Sequence, residues 1–257
     1  MAQGTGHKAQ DRLIVALDVP TFDEARKLVD AMGETVTTYK VGYQQFVAYG
    51  PFVVRYLAAQ GKKVFLDLKF HDIPNTVANA VASAVGLGVA PYDALDPDGK
   101  KAGVFAPLFM TTIHTQGGLE MMKAAAESAR RTAEAFKVAR PLVVGVTVLT
   151  SDATTANTAE AVLERARLAK ASGLDGVVAS AKEAGMLRRE LGKDFVVVTP
   201  GIRPAGGDAG DQKRVETPLS AIRSGASFLV VGRPIVQSAD PRAAAEAIVR
   251  EIEQALA

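Results

Sequence analysis

The chain has 257 residues, 48% of them hydrophobic and 23% charged, with a net charge of +2 and no cysteine. That is enough chain for a sizeable core in one domain or two. The near-neutral balance gives no global field to gather nucleic acid or an anionic membrane, and the missing thiols exclude disulfides, thiolate metal sites and cysteine nucleophiles.

The N-terminus, Met1 to Arg12, is polar and lacks the apolar core of a signal peptide. No run approaches the length needed to span a bilayer, so the expected location is the cytoplasm. With three histidines, His7, His71 and His114, a zinc site of imidazoles and thiolates is not expected. Strand patterns follow at Arg12–Asp18, Thr35–Gly42, Lys63–Lys69, Phe109–His114, Leu142–Leu149, Gly176–Ser180, Phe195–Thr199 and Phe228–Gly232. Helical patterns lie between and after them, at Phe22–Met32, Gln44–Gln60, Thr76–Leu87, Gly118–Phe136, Thr158–Ser172, Lys182–Leu191, Pro218–Ser224 and Pro241–Leu256.

Eight strands, each followed by a helix, in about 250 residues predict an α/β fold: a (β/α)8 TIM barrel. It forms a single domain, 1–257, with 1–11 a polar tail. A doubly wound open sheet competes, but the count and even spacing favour the barrel. The turn after the first strand, Leu17-Asp18-Val19-Pro20-Thr21, has no Gly-x-Gly-x-x-Gly, so no dinucleotide site is expected there.

Two stretches break the rhythm. Residues 88–107 are rich in Pro, Gly, Asp and Lys and precede the fourth strand. They read as a surface loop insertion on the N-terminal, non-catalytic side of a barrel. The segment Pro200–Gln212 follows the seventh strand, on the catalytic side, and its glycines and length suit a lid.

In a barrel the chemistry sits at the C-terminal strand ends. The third strand runs Val64-Phe65-Leu66-Asp67-Leu68-Lys69-Phe70. Alternation puts Val64, Leu66, Leu68 and Phe70 on one face and Phe65, Asp67 and Lys69 on the other. Burying such a charge pair seldom adds net stability. On these two residues alone, an ion pair at a strand end and a functional pair are equally good readings. Asp18 ends the first strand and Lys40 lies near the end of the second. Four charges of alternating sign converging at one rim favour a functional site. Gly232 and Arg233 end the eighth strand, where such barrels bind phosphate. Gly232 permits close backbone approach, and Arg203, Gln212 and Arg233 supply donors. His114 fits either a proton carrier or, better, a hydrogen-bonded structural histidine, and His71 reads as structural.

The motif Asp67-Leu68-Lys69-Phe70-His71-Asp72-Ile73-Pro74-Asn75-Thr76 is highly specific. Around it, in order, stand Lys40-Val41-Gly42, His114-Thr115-Gln116-Gly117-Gly118, Val146-Thr147-Val148-Leu149-Thr150-Ser151, Thr199-Pro200-Gly201-Ile202-Arg203, Asp211-Gln212 and Val231-Gly232-Arg233. Nearly end to end, the chain resembles the bacterial orotidine 5′-monophosphate decarboxylase family. It departs from it in the longer 88–107 stretch and in Thr115-Gln116, where Ala-Ala is expected.

The resemblance implies a lyase that forms UMP and CO2 as the last step of pyrimidine nucleotide biosynthesis, with no cofactor and no metal. Lys40, Asp67, Lys69 and Asp72 would be catalytic. Asp18 and Lys40 would contact the ribose, Asp67 would face the substrate carboxylate, and Lys69 would deliver a proton to C6. Asp72 and Thr76 would reach into the neighbouring site of a homodimer, with Ile73 also contacting substrate. Thr150 would hold the base, and Arg203, Gln212, Gly232 and Arg233 would grip the phosphate. Sugar-phosphate decarboxylases and aldolases of the same barrel group share Asp-x-Lys-x-x-Asp but use Mg2+. The His-Asp-Ile-Pro-Asn-Thr continuation and the Asp-Gln pair argue against them. A phosphate-binding barrel without catalysis is the remaining alternative, and it would not need Lys69 opposite Asp67.

Overall fold

The computed structural model describes residues 8–87, 108–149, 158–204 and 216–257. The strands are β1 (Leu13–Ala16), β2 (Thr38–Val41), β3 (Lys63–Phe70), β4 (Met110–His114), β5 (Leu142–Val146), β6 (Gly176–Val178), β7 (Val196–Pro200) and β8 (Phe228–Val231). Each pairs in parallel with the next, and β8 returns to β1 through Leu13–Leu229, Ile14–Val230 and Val15–Val231, closing the barrel.

The helices are α1 (Phe22–Met32), α2 (Tyr43–Tyr49), α3 (Pro51–Ala59), α4 (Pro74–Gly86), α5 (Gly118–Phe136), α6 (Thr158–Ala171), α7 (Ala181–Leu191), α8 (Pro218–Arg223), α9 (Arg233–Val236) and α10 (Pro241–Leu256). Local chemistry sets their limits. Thr21 caps α1 by accepting from the Glu24 N–H at 3.2 Å, while Ala25, Val29 and Met32 recur at helical spacing and are buried. In α10 the Asp240 carboxylate accepts from the Ala243 N–H at 3.0 Å.

Two faces of every strand are committed. Ile14, Ala16, Phe65, Met110, Val144, Val198, Phe228 and Val230 fill the barrel interior. Their neighbours in sequence, such as Leu13, Val15, Leu66, Leu229 and Val231, face the helices. A second outer cluster joins α4–α7 to β4–β7 through Val81, Ile113, Met121, Val177 and Leu187. Among the described residues no helix is long and apolar enough to cross a membrane.

The structure corrects several sequence expectations. The single helix expected over Gln44–Gln60 is two, broken at Gly50, whose φ of 56° ends α2 before Pro51 starts α3. A proline at that point has no N–H to continue the ladder and disfavours helical backbone in the residue before it. The strand expected to reach Leu149 stops at Val146, and the one expected from Thr35 begins at Thr38, after a 3-10 turn at Gly33–Thr35. The short helix α9 was not expected at all. Residues 88–107 and most of the 200–212 loop lie outside the described residues.

Candidate active site

At the C-terminal ends of β1–β3 four charged side chains form a chain of alternating sign. Lys40 Nζ lies 3.0 Å from Asp18 Oδ1 and 3.6 Å from Asp67 Oδ2. Lys69 Nζ then donates to both oxygens of Asp67, each at 2.9 Å. Burial falls outward along the chain: Lys40 and Asp67 side chains keep 10% and 12% of their exposure, Lys69 24% and Asp18 52%. The inner pair is therefore shielded from water, where charge interactions act at a lower effective dielectric.

Gly42 makes room for this. A methyl group built on it would stand 2.9 Å from Lys40 Nζ and 3.2 Å from Asp18 Oδ1. Its backbone is extended, which any residue can adopt. Gly42→Ala should thus unfold within about 0.5 kcal/mol of the parent, because the tip of a flexible lysine can swing aside. The same swing breaks the Asp18–Lys40 contact, so kcat/KM should fall about tenfold or more. Thermal unfolding and steady-state kinetics on one preparation check both halves.

The third strand does not reach the site by simple alternation. From Leu66 to Phe70 it advances four residues while β4 advances two, Thr111 to Ile113, so β3 bulges by two residues. Within the bulge Lys69 has φ of 46°, a left-handed conformation costing a side-chain-bearing residue roughly 1–2 kcal/mol.

Two residues missed in the sequence belong here. Thr112 of β4 donates to Asp67 Oδ1 at 2.9 Å and accepts the Lys69 N–H at 2.8 Å. The signal was a polar residue at the interior position between Met110 and His114. Tyr43 directly follows the Lys-Val-Gly at the rim. Its hydroxyl donates to the Leu68 carbonyl at 3.0 Å, and its ring centre lies 5.5 Å from Lys69 Nζ. Burial, then the nearby Asp67 charge, raises the Tyr43 pKa, which keeps the phenol protonated.

His114 ends β4 half-buried, its ring 5.6 Å from that of His71, with Nδ1 buried and without a hydrogen-bond partner among the described residues. The hydrogen-bonded structural role expected for it is not met at that nitrogen. Burial lowers its pKa, as do His71, Lys69 and Arg165, with Asp67 opposing. A depressed folded-state pKa means that the unfolded chain takes up the proton first as pH falls below about 6.5. Stability should therefore drop on acidification through that point, and His114→Gln should show a smaller loss of unfolding temperature between pH 7.5 and 5.5.

Asp72, Ile73 and Thr76 are not part of the charge chain. Residues 71–76 are all exposed, Ile73 to 66%, and the Asp72 carboxylate accepts only the Ile73 N–H, at 2.6 Å, among the described hydrogen bonds. Across the rim, Arg203 follows β7 and Arg233 opens α9 directly after Gly232 and β8. The Arg203 N–H donates to the Glu216 carbonyl at 3.1 Å beside an Ile202–Glu216 bridge, so the two ends of the intervening segment meet. A methyl group built on Gly232 would meet only Ala16 Cβ, at an ordinary 3.6 Å. Packing among the described residues therefore leaves space at that glycine. Thr150 and Gln212 lie outside the described residues.

A closed (β/α)8 barrel with charged groups gathered at the C-terminal strand ends has the layout of a barrel enzyme. The sequence profile of the Orotidine 5'-phosphate decarboxylase / HUMPS family matches residues 11–248. The orotidine 5'-phosphate decarboxylase of Moorella thermoacetica is 46% identical over 254 residues, 95% of this chain and 93% of that protein. That of Photobacterium profundum is 45% identical, covering 96% and 98%. The crystal structure of orotidine 5'-phosphate decarboxylase from Lactobacillus acidophilus superposes with a TM-score of 0.75 at 37% identity, over 93% of this chain and 98% of that one. The chain belongs to the orotidine 5′-phosphate decarboxylase family and is an enzyme of that family.

Proposed function

We propose that the protein decarboxylates orotidine 5′-monophosphate to UMP and CO2 without a cofactor, using Lys69 as cation and proton donor. The observation that carries this is the Asp18–Lys40–Asp67–Lys69 chain, with Lys69 Nζ 2.9 Å from both Asp67 oxygens.

Loss of CO2 breaks the bond from C6 to the carboxylate and leaves the electron pair on C6, in an orbital outside the ring π system. A fixed ammonium beside C6 stabilises that pair as it forms. Lys69 then transfers a proton to C6, giving UMP, and regains one from solvent. Asp67, held between two lysines, sets a negative charge against the substrate carboxylate, and this repulsion is relieved as neutral CO2 departs. Asp18 and Lys40 take the ribose hydroxyls, and Thr150 the base. Arg203, Gln212, Gly232 and Arg233 take the phosphate, far from C6, where binding energy can drive closure of the loop after β7.

The exposed run from His71 to Thr76 supports the assignment of Asp72, Ile73 and Thr76 to the site of a second subunit in a homodimer. We place the enzyme in the cytoplasm, at the last step of UMP synthesis, acting on a free nucleotide rather than nucleic acid. The test is the fall in orotidine 5′-monophosphate absorbance on adding enzyme, with and without EDTA. Equal turnover in both is expected. Turnover abolished by EDTA would place the chain with Mg2+-using barrels, and nucleotide binding without turnover would make it a binding protein.

A further inference from the structure

Thr112 touches both members of the reacting pair through one oxygen. The Lys69 backbone N–H can only donate, so Thr112 Oγ1 accepts it, at 2.8 Å. That leaves the single hydroxyl hydrogen for Asp67 Oδ1, at 2.9 Å. Thr112 is fully buried. The carboxylate is thereby held on both oxygens, Oδ1 by Thr112 and Lys69, Oδ2 by Lys69 and Lys40.

The placement matters because β3 is irregular there and β4 is not. Met110–His114 pair residue for residue with Leu142–Val146, so β4 is anchored on its far side by an unbroken ladder. Over the β3 bulge the regular pairing lapses, and the Lys69 N–H goes to a side chain of β4 instead of a backbone carbonyl. Among the described residues only Lys69 and Lys137 have positive φ without being glycine. Lys137 caps the end of α5, where such backbone is common. Lys69 is inside a strand, and left-handed backbone persists at such a place only when its surroundings over-determine it.

We propose that Thr112 is a positioning residue for decarboxylation: its hydroxyl ties the Asp67 carboxylate and the Lys69 backbone into one frame, fixed to the regular strand β4. The frame keeps the Lys69 ammonium aimed at the reacting carbon when bound substrate disturbs the Lys69–Asp67 ion pair. This rests on the functional reading above. It adds a residue from β4 to a charge chain drawn from β1–β3.

The test compares wild type with Thr112→Val, which keeps the shape and deletes the hydroxyl, and Thr112→Ser, which keeps the hydroxyl. Three quantities are read: turnover of orotidine 5′-monophosphate, affinity for UMP, and hydrogen exchange of the Lys69 amide by NMR. In Thr112→Val kcat should fall about tenfold or more, with KM and UMP affinity within about twofold, because the loss is in the transition state. Its Lys69 amide should exchange faster, while Thr112→Ser keeps more than about half of kcat and the slow exchange. Thr112→Ala deletes the same hydroxyl without placing a methyl group against Asp67, and it carries the comparison if the valine variant does not fold. A hydroxyl-deleted variant with kcat within about twofold of wild type overturns the proposal. So does a serine variant that loses as much as the valine variant. An inactive wild type overturns the functional reading instead, and the exchange measurement still scores the Thr112–Lys69 tie: a fast-exchanging Lys69 amide in wild type removes it.

Discussion

Lys69→Ala is expected to lose decarboxylation almost completely while the barrel still folds. The substitution removes the only lysine that contacts both oxygens of Asp67 among the described residues and, on the proposed mechanism, both the cation and the proton for C6. Folding should survive, because Asp67 keeps Lys40 at 3.6 Å and the Thr112 hydroxyl at 2.9 Å. Asp67 is then a partly buried carboxylate with weaker compensation, so some loss of unfolding temperature is expected. Steady-state kinetics beside thermal unfolding separate the two effects. A variant keeping more than about a tenth of wild-type kcat, a barrier change of only ~1.4 kcal/mol, would take Lys69 out of the chemical step.

Asp72→Ala should be equally inactive alone, yet partly cured by a second inactive chain. If each site combines Lys69 of one subunit with Asp72 of the other, a heterodimer of Asp72→Ala and Lys69→Ala chains has one intact site and one doubly lesioned site. Random exchange of equal amounts makes half the dimers mixed, each with one working site of two. Activity should then recover to about a quarter of wild type per total chain, as closed two-fold symmetry requires. The exposed position of Asp72, outside the charge chain of its own subunit, is what motivates this. Demonstrated subunit exchange with no recovery would return Asp72 to its own site.

Much of this site was legible because barrel geometry converts strand ends into neighbours. Asp18, Lys40 and the Asp67–Lys69 pair come from stretches far apart in sequence, but each lies toward the C-terminal end of its strand, and parallel closure brings those ends to one rim. Thr112 was hidden because threonine is an ordinary strand residue, and the adjacent Thr111 gives the same signal from the opposite face. The bulge was hidden for a different reason. Val64–Phe70 alternates well enough to read as a regular strand, and the two additional residues emerge only from its pairing with β4. The break at Gly50 was legible in principle, since Gly-Pro is a strong stop signal, but the apolar residues on both sides suggested one continuous helix.

The left-handed backbone at Lys69 puts fitness and robustness in conflict at one codon. Glycine takes that conformation without the Cβ penalty, so Lys69→Gly should be more stable than Lys69→Ala by about 1 kcal/mol, although on the proposed mechanism neither could protonate C6. A library of this gene sorted only for heat resistance would therefore favour glycine at position 69 over most other residues. It would also tolerate deletions that draw β3 back into register with β4. Every step of that selection would look like improvement until turnover was measured. On the proposed mechanism, position 69 must be held fixed in any stabilisation of this barrel, and stability gained there would signal loss of the proton donor.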